Sequence, residues 1–210
     1  MAKTSGIIVV GNEILSGRVA DQNAAFLTRE LYSLGIDLRK ISIVPDDVDE
    51  IAREVVSFTS AYDRVFLCGG IGPTHDDVSM AGIARGLSVP LVHHPGLMER
   101  LKGLFASEDE GLLLKMSETP EGSNLLGDEL PFPIIVVGNL YVFPGQPEIL
   151  QEKFKAIRDF FRESPFYSKT VYIRLSERRL VGYLNALLES YPGLRLGSYP
   201  ELSNPSYKVK

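Results

Sequence analysis

A glycine-rich loop followed by two adjacent aspartates is the clearest chemical signal in the sequence. The loop reads GGIGPTHDD, spans residues 69–77 and directly follows the apolar run RVFLC. Because glycine has no Cβ atom, backbone N–H groups in such a loop can approach an anion closely, and the N-terminus of a following helix adds partial positive charge. We therefore predict a phosphate-binding loop. Its expected ligand-binding residues are Gly69, Gly70, Gly72, Pro73 and Thr74.

The two aspartates of this loop, Asp76 and Asp77, predict metal binding and catalysis. Mg²⁺ in proteins usually takes one or two carboxylates together with substrate phosphates, and here two carboxylates adjoin a predicted phosphate site. We expect both residues to bind a divalent cation (Mg²⁺, Mn²⁺ or Co²⁺) and to take part in the reaction. The alternative is that one of them caps the next helix. The loop matches neither a Walker P-loop nor a dinucleotide-binding G-x-G-x-x-G motif.

A second polar cluster, GNE at residues 11–13 and DQN at residues 21–23, follows the first apolar run of the chain. It leaves the carboxyl end of a predicted strand, which is the edge where open α/β sheets bind ligands. We predict Glu13 as a further catalytic residue. The other predicted ligand-binding residues are Gly11, Asn12, Asp21, Asn23 and, in a PGQP turn after a later strand, Gly145. The alternatives are that Asp21 caps the next helix and that PGQP is a plain strand–helix connection.

The elements that must position these loops alternate between strands and helices. Short β-branched runs predict buried strands, and apolar residues at helical spacing predict helices. The predicted strands cover residues 6–10, 36–44 and 64–68 and a hairpin at residues 134–143, and the predicted helices cover residues 22–34, 47–60, 78–85, 94–105 and 147–161. Strands alternating with helices predict an α/β fold with a mainly parallel sheet.

Two parts of the chain depart from this alternation. Residues 107–131 are irregular, with one helical patch at residues 111–116. Beyond residue 164 we predict strands at KTVYIRLS, at residues 195–199 and at SYKVK, and between them a helix with a core stripe at residues 180–188. We therefore divide the chain into an α/β domain, residues 1–164, and a small α+β domain, residues 165–210. The unfinished run SYKVK predicts that the small domain is incomplete at its C-terminus.

Composition excludes several classes of function. The chain has 210 residues and a formal net charge of −5. Because nucleic-acid affinity depends on Lys and Arg contacts to phosphates, this charge argues against a nucleic-acid partner. No segment approaches the roughly 20 apolar residues that span a bilayer, and the N-terminal apolar run is too short for a signal peptide. Cys68 is the single cysteine, so no internal disulfide can form, and we expect a cytoplasmic protein.

Four segments of the chain resemble the molybdopterin-binding (MoaB/Mog-like) domain family. They are, in order, GNEILSGRVADQNAAFL, VPDDVDEI, GGIGPTHDDVS and VFPGQPEIL. The resemblance is closer to the branch of CinA-type competence-damage proteins and of the N-terminal domain of eukaryotic-type FAD synthases, and GLRLGSYPELSNPSYKVK also resembles FAD synthases. The resemblance implies a three-layer α/β/α fold, metal-dependent hydrolysis of FAD or ADP-ribose in this branch, and self-association as a dimer or trimer.

Carried onto this chain, the resemblance implies that the loop glycines and Thr74 bind phosphate and that Asp76 or Asp77 binds the metal. Asn12, Glu13 and Asp21 would close the site. Molybdopterin enzymes commonly have Ser or Thr between the loop glycines, whereas GGIG here favours a nucleotide diphosphate over a pterin. We therefore expect a pyrophosphatase-type hydrolase that acts on a small-molecule nucleotide and releases AMP. The alternatives are a molybdopterin-binding or adenylyl-transfer module of molybdenum cofactor metabolism, and a non-catalytic nucleotide-binding regulatory domain.

Overall fold

The computed structural model describes residues 2–105, 109–127 and 129–210, in two compact units, Met1–Phe166 and Tyr167–Lys210. No helix among these residues is long and apolar enough to cross a membrane. In chain order, the elements of the first unit are β1 (Thr4–Val10), α1 (Asn12–Leu15), α2 (Asn23–Ser33), β2 (Asp37–Val44), α3 (Val48–Ala61), β3 (Arg64–Cys68), α4 (Ser79–Leu87), β4 (Leu91–His93), α5 (Pro95–Leu104), α6 (Glu110–Ser117), β5 (Glu118–Pro120), β6 (Asn124–Leu126), β7 (Ile134–Val137), β8 (Leu140–Phe143), α7 (Pro147–Ile157) and a 3₁₀ turn (Arg158–Phe161). The second unit contains α8 (Glu177–Ser190).

The central sheet has the strand order β2-β1-β3-β8-β7-β6. Strand β1 is parallel to β2 and β3, and β3 is parallel to β8, whereas β7 is antiparallel to β8 and to β6. Strands β4 and β5 form a separate antiparallel pair. The strands therefore form the mainly parallel sheet that the sequence predicts, and β7 and β8 form the predicted hairpin.

Strand β3 shows why the sheet has a helical layer on each face. All of its residues are buried, and successive side chains of a strand point to opposite faces. Phe66 and Cys68 pack into a core with residues of α2 and α7, whereas Val65 and Leu67 pack into a second core with residues of α3, α4 and α5. The unit is thus a three-layer α/β/α structure, which confirms the predicted fold class.

Side chains before several helices determine where those helices begin. The carboxylate of Asp47 accepts hydrogen bonds from the N–H groups of Asp49 and Glu50, at 2.9 and 3.0 Å, and caps α3. The Nδ1 atom of His94 accepts from an N–H group in the first turn of α5 at 3.3 Å. Ser176 occupies the same position before α8, but its side chain makes no capping hydrogen bond.

The segment before the hairpin contains two strands that the sequence analysis missed. Strands β5 and β6 have 3 residues each, too few to show an alternating pattern. The predicted helical patch is present as α6. Residues 107, 108 and 128 of the irregular segment lie outside the described residues.

The second unit contains the predicted helix but not the predicted strands. In place of strands the described residues form isolated bridges, Ile173 with Val209 and Pro200 with Val209. Leu180 is the buried residue of α8, whereas Leu187 is 40% exposed. The predictions of three strands and of a core stripe at residues 180–188 are therefore wrong. The physical reason is size, because so short a unit offers little apolar surface against which a sheet or a helix face can pack.

A buried lysine on α7 has an unusual pKa. Lys153 is 7% exposed, and its Nζ donates a hydrogen bond to the carbonyl oxygen of Phe132. Burial lowers the pKa of Lys153 from 10.5 to about 8, while the neighbouring Glu152 carboxylate opposes the shift. Between these two values the unfolded chain binds a proton that the folded chain does not, so this group makes the folded state more stable as pH rises.

We expect this linkage to appear when the wild type is compared with Lys153→Met. Across the window from about pH 8 to 10.5, the free energy of unfolding of the wild type should rise relative to the variant by on the order of 3 kcal/mol. The measurement is urea denaturation at a series of pH values. Because Met does not titrate, the subtraction removes the contribution of every other group. A difference that stays constant across the window would contradict the prediction.

Candidate functional site

Four strands of the sheet end at one edge, and their loops contact one another there. The N–H of Gly11, after β1, donates to the carbonyl oxygen of Val44, at the end of β2, at 3.1 Å. The N–H of Gly69, after β3, donates to the carbonyl oxygen of Phe143, at the end of β8, at 3.2 Å. The loops selected from the sequence are therefore neighbours at the carboxyl edge of the sheet, where open α/β sheets bind ligands.

Backbone contacts at this edge require glycine at position 69. Gly69 has a φ of +104°, and a Cβ atom there would lie 2.2 Å from the carbonyl oxygen of Val10. Gly145 packs against the same residue, since a Cβ on Gly145 would lie 3.3 Å from the Cα of Gly69. The loops after β1, β3 and β8 thus meet at backbone contact, which brings Gly69 and Gly145 together.

Three successive N–H groups of the glycine-rich loop are available to a ligand. Those of Gly70, Ile71 and Gly72 donate no hydrogen bond to any residue that the structure describes. The loop is held by Ser79, the buried first residue of α4. Its N–H donates to the carbonyl oxygen of Gly70 at 2.9 Å, and its hydroxyl donates to that of Gly69 at 2.8 Å. Ser79 was not among the residues predicted from the sequence, although a hydroxyl residue at the start of the helix after the loop indicates such a contact.

The Thr74 hydroxyl joins the two aspartates. Its Oγ1 lies 2.5 Å from Oδ1 of Asp76 and 2.5 Å from Oδ2 of Asp77, and the N–H of Thr74 donates to the same Asp77 oxygen at 2.8 Å. The Thr74 hydroxyl, followed by the N–H of Asp76 itself, lowers the pKa of the exposed Asp76 carboxyl below its ordinary value of 3.8, so this carboxylate is ionised at neutral pH. Neither aspartate caps α4, because Val78 holds the capping position.

The pair of carboxylates suits a divalent cation because both converge on one hydroxyl group. Carboxylate oxygens are hard ligands of the kind that Mg²⁺ and Mn²⁺ prefer. Within residues 2–105, 109–127 and 129–210, no three His, Cys, Asp or Glu side chains are grouped so as to hold a metal ion by themselves. The remaining ligands would therefore come from substrate phosphates and water, which is the usual arrangement for Mg²⁺.

The loop after β1 exposes two of the predicted residues, Asn12 and Glu13, at the same edge. The N–H of Asn12 donates to Oδ2 of Asp46, after β2, at 2.8 Å. The Glu13 carboxylate folds back over Gly11, where a Cβ atom would lie 2.6 Å from its Oε1. Both exposed side chains are accessible to a ligand. Asp46, which the sequence analysis did not include in the site, positions their loop.

Asp21 and Asn23 hold the start of α2 in place. The Oδ1 atom of Asp21 accepts from the N–H groups of Asn23 and Ala24, at 3.0 and 3.2 Å, so its side chain binds first-turn donors of α2 although Gln22 holds the capping position. Asn23 is 6% exposed, and its Nδ2 donates to the carbonyl oxygen of Gly145 at 2.7 Å. These contacts fix α2 against the Gly145 turn. Direct contact of either side chain with a ligand stays a prediction.

Cys68, the residue before the loop, is too deeply buried to react with a ligand bound at the loop. Its side chain is 1% exposed, its Sγ lies 3.7 Å from the carbonyl oxygen of Ile8, and burial raises the pKa of the thiol. A buried, neutral thiol is a poor nucleophile and a poor metal ligand. Further along the loop Pro73 and Thr74 are exposed, so the loop passes from the buried sheet to solvent.

A lysine outside the predicted motifs also reaches the loop. Lys115 of α6 lines a crevice together with Gly70, Gly72 and Asp77. Its Nζ lies 2.9 Å from Oε2 of Glu118. The sequence analysis missed Lys115 because only tertiary structure brings α6 to a loop so distant in the chain.

Comparison with known proteins covers almost the whole chain. The profile of the family described as "Probable molybdopterin binding domain" matches residues 6–163, and that of "FAD synthase, middle domain" matches residues 165–210. A protein of Archaeoglobus fulgidus is 37% identical over 196 residues, which are 93% of this chain and 85% of that protein. The "Probable FAD synthase" of Caenorhabditis elegans is 32% identical over 99% of this chain, but the chain spans only 46% of that relative.

A solved structure matches most of the chain. The crystal structure of the protein CinA from Thermoplasma acidophilum, whose function is described as unknown, has a TM-score of 0.69 and 30% sequence identity. The match covers 76% of this chain and 98% of that one. The chain thus shares its fold with a relative of recognisable sequence.

Proposed function

This chain belongs to the family of probable molybdopterin binding domains, and we propose, from the residues of its glycine-rich loop, that it is a metal-dependent hydrolase of nucleotide pyrophosphates. The proposed substrates are dinucleotides or nucleotide-diphosphate sugars of the FAD or ADP-ribose class, and the proposed product is AMP. One observation carries the proposal, namely that three free N–H groups lie in the same loop as two carboxylates that share a hydroxyl group. The N–H groups suit a phosphate, and the carboxylates suit the cation that accompanies it.

The N–H groups of residues 70–72 are expected to bind one phosphate of the substrate. Ser79 fixes the loop through both its N–H and its hydroxyl, so the donors need little reorganisation when a ligand binds. Preorganised N–H donors next to a helix N-terminus stabilise an anion strongly. Such local dipoles act at short range, so the net charge of −5 does not prevent binding of a nucleotide.

Asp76 and Asp77 would hold the divalent cation. When bound, such a cation polarises the phosphate and lowers the pKa of a water molecule. Asp76 suits this role because its carboxylate is exposed and is ionised at neutral pH. The Asp77 carboxylate also accepts a hydrogen bond from the N–H of Thr74. Thr74 therefore holds the carboxylate pair and the backbone of the loop in a fixed relation.

Glu13, or Asp76, would orient the attacking water and accept its proton. The water oxygen forms a new P–O bond, and the bridging P–O bond of the diphosphate breaks. One phosphate leaves as AMP and the other as the second product, ribose 5-phosphate from ADP-ribose or FMN from FAD. No covalent bond between the protein and the substrate is needed.

Binding of a molybdopterin, or transfer of an adenylyl group to it, is the second candidate function. The family description over residues 6–163 favours it. The same N–H groups would then bind the pterin phosphate. Pterin fluorescence in the purified protein, without AMP release from nucleotides, would identify this function.

The test is to incubate the purified chain with FAD or ADP-ribose, in EDTA and with Mg²⁺, Mn²⁺ or Co²⁺, and to quantify AMP by chromatography. We expect AMP only when metal is present. Tight nucleotide binding without AMP release would contradict hydrolysis and identify a non-catalytic binding domain. Light scattering on the same sample tests the proposed self-association as a dimer or trimer.

A further inference from the structure

The crevice beside the glycine-rich loop contains a single basic side chain among the described residues that line it, Lys115. Two carboxylates, those of Asp77 and Glu118, line the same crevice. Without Lys115 the crevice would be doubly negative and would repel an anion. In the absence of a bound cation, Lys115 is therefore the positive charge that favours a ligand carrying more than one phosphate.

The Lys115 ammonium is held in place by Glu118. Its Nζ lies 2.9 Å from Oε2 of Glu118, and the two side chains are 40% and 27% exposed. Both side chains are therefore partly accessible from solvent. Because Glu118 lies at the start of β5 and Lys115 in the last turn of α6, the pair spans the junction of these two elements.

We infer that Lys115 binds a phosphate of the substrate and that Glu118 holds the ammonium ready in the free protein. This inference rests on the proposed function, and it names the side chain that binds the second phosphate of the diphosphate. One phosphate binds to the N–H groups of residues 70–72, and the Lys115 ammonium exchanges Glu118 for an oxygen of the other. A monophosphate occupies the N–H groups alone and gains little from Lys115.

If the pair of Lys115 and Glu118 served only to stabilise the fold, the effects of substituting the two residues would differ from those that we expect. Partly exposed pairs three residues apart contribute little to stability, and removing either partner breaks the same interaction. Both single variants should then behave alike. If Lys115 binds substrate, the two variants should change affinity in opposite directions, because Glu118 competes with the phosphate for the same ammonium.

The experiment is calorimetric titration of the full chain with ADP-ribose, with inorganic pyrophosphate and with AMP, in EDTA and in Ca²⁺. Lys115→Met is expected to weaken ADP-ribose binding roughly ten- to hundredfold, the equivalent of one charge-assisted hydrogen bond, and AMP binding by less than about threefold. Glu118→Gln should bind ADP-ribose as tightly as the wild type or about twofold more tightly. Lys115→Arg, which keeps the charge, should recover most of the lost affinity.

Three outcomes would overturn the inference. They are equal losses of affinity in Lys115→Met and Glu118→Gln, unchanged ADP-ribose affinity in Lys115→Met, and a wild type that binds neither ADP-ribose nor inorganic pyrophosphate. Failure of the proposed function looks different. If the wild type binds ADP-ribose with the expected dependence on Lys115 but releases no AMP with any metal, hydrolysis is wrong and the diphosphate site stands.

Discussion

Asp76→Asn is expected to reduce metal-stimulated AMP release by at least about 10²- to 10³-fold while the chain stays folded. Asn has the shape of Asp and can still accept a hydrogen bond from Thr74, but it lacks the charge that a divalent cation requires. Because Asp76 is exposed, the substitution removes no buried contact. AMP release is measured with saturating Mg²⁺ or Mn²⁺, and folding is followed by circular dichroism and thermal unfolding.

The chain offers a matched control in Asp63. Its carboxylate accepts hydrogen bonds from the N–H and hydroxyl of Thr4, at 2.7 and 2.8 Å, and these bonds lower its pKa, as the contacts of Asp76 with Thr74 do. Asp63 lies before β3, at the opposite end of the strand from the glycine-rich loop. Asp63→Asn should therefore keep full activity. Equal activity in Asp63→Asn and Asp76→Asn would remove Asp76 from the mechanism.

Asp77→Asn should also reduce AMP release. Two effects contribute to this loss, and activity measurements alone do not distinguish them. The Asp77 carboxylate would bind the cation, and it also accepts the N–H of Thr74. Loss of charge weakens both interactions. Asp76→Asn is therefore the cleaner test of the proposed mechanism, and full activity in both Asp76→Asn and Asp77→Asn would contradict it.

Gly69→Ala is expected to lower the free energy of unfolding by about 3 kcal/mol or more and to abolish ligand binding. The new methyl group would lie 2.2 Å from the carbonyl oxygen of Val10. This oxygen belongs to the backbone of a buried strand and cannot move aside without separating β1 from β3. The measurement is urea denaturation together with binding of ADP-ribose.

Gly122→Ala separates the steric effect from the backbone effect. Gly122 also has a positive φ, +82°, but nothing lies within 4 Å of a Cβ atom built on it. Its substitution should cost only the strain of a left-handed alanine, about 1–2 kcal/mol, and leave binding unchanged. Equal losses of unfolding free energy in Gly69→Ala and Gly122→Ala would contradict the steric explanation. The positive φ, and not the nearby Val10 carbonyl, would then be the reason for glycine at position 69.

The α/β fold and the family could be predicted because their signals are local and strong. GIIVV, RVFLC and the hairpin IIVV–GN–LYVF have patterns that β1, β3, β7 and β8 reproduce. The resemblance to molybdopterin-binding domains and to their CinA-like and FAD-synthase branch is confirmed by the family profile, the relatives and the CinA structure. The clustering of the loops at one edge follows from parallel pairing of β1, β2, β3 and β8.

The features that were missed depend on contacts that a sequence pattern does not contain. Strands β5 and β6 exist because neighbouring strands pair with them, since 3 residues carry no recognisable period. Lys115 reaches the site only because α6 packs near a loop far away in the chain. In the second unit the alternating runs at KTVYIRLS and SYKVK do not pair into a sheet with other described residues. They form only isolated bridges.

The single thiol of the chain makes the central strand a built-in probe of native-state opening. Cys68 is the last residue of β3, is 1% exposed and directly precedes the glycine-rich loop. A thiol reagent can modify it only when the end of β3 opens to solvent, so the labelling rate reports how often this end of the strand opens. A phosphate ligand bound to the loop should slow this labelling, since it binds only the closed sheet. The probe works with any ligand and requires neither turnover nor an added label.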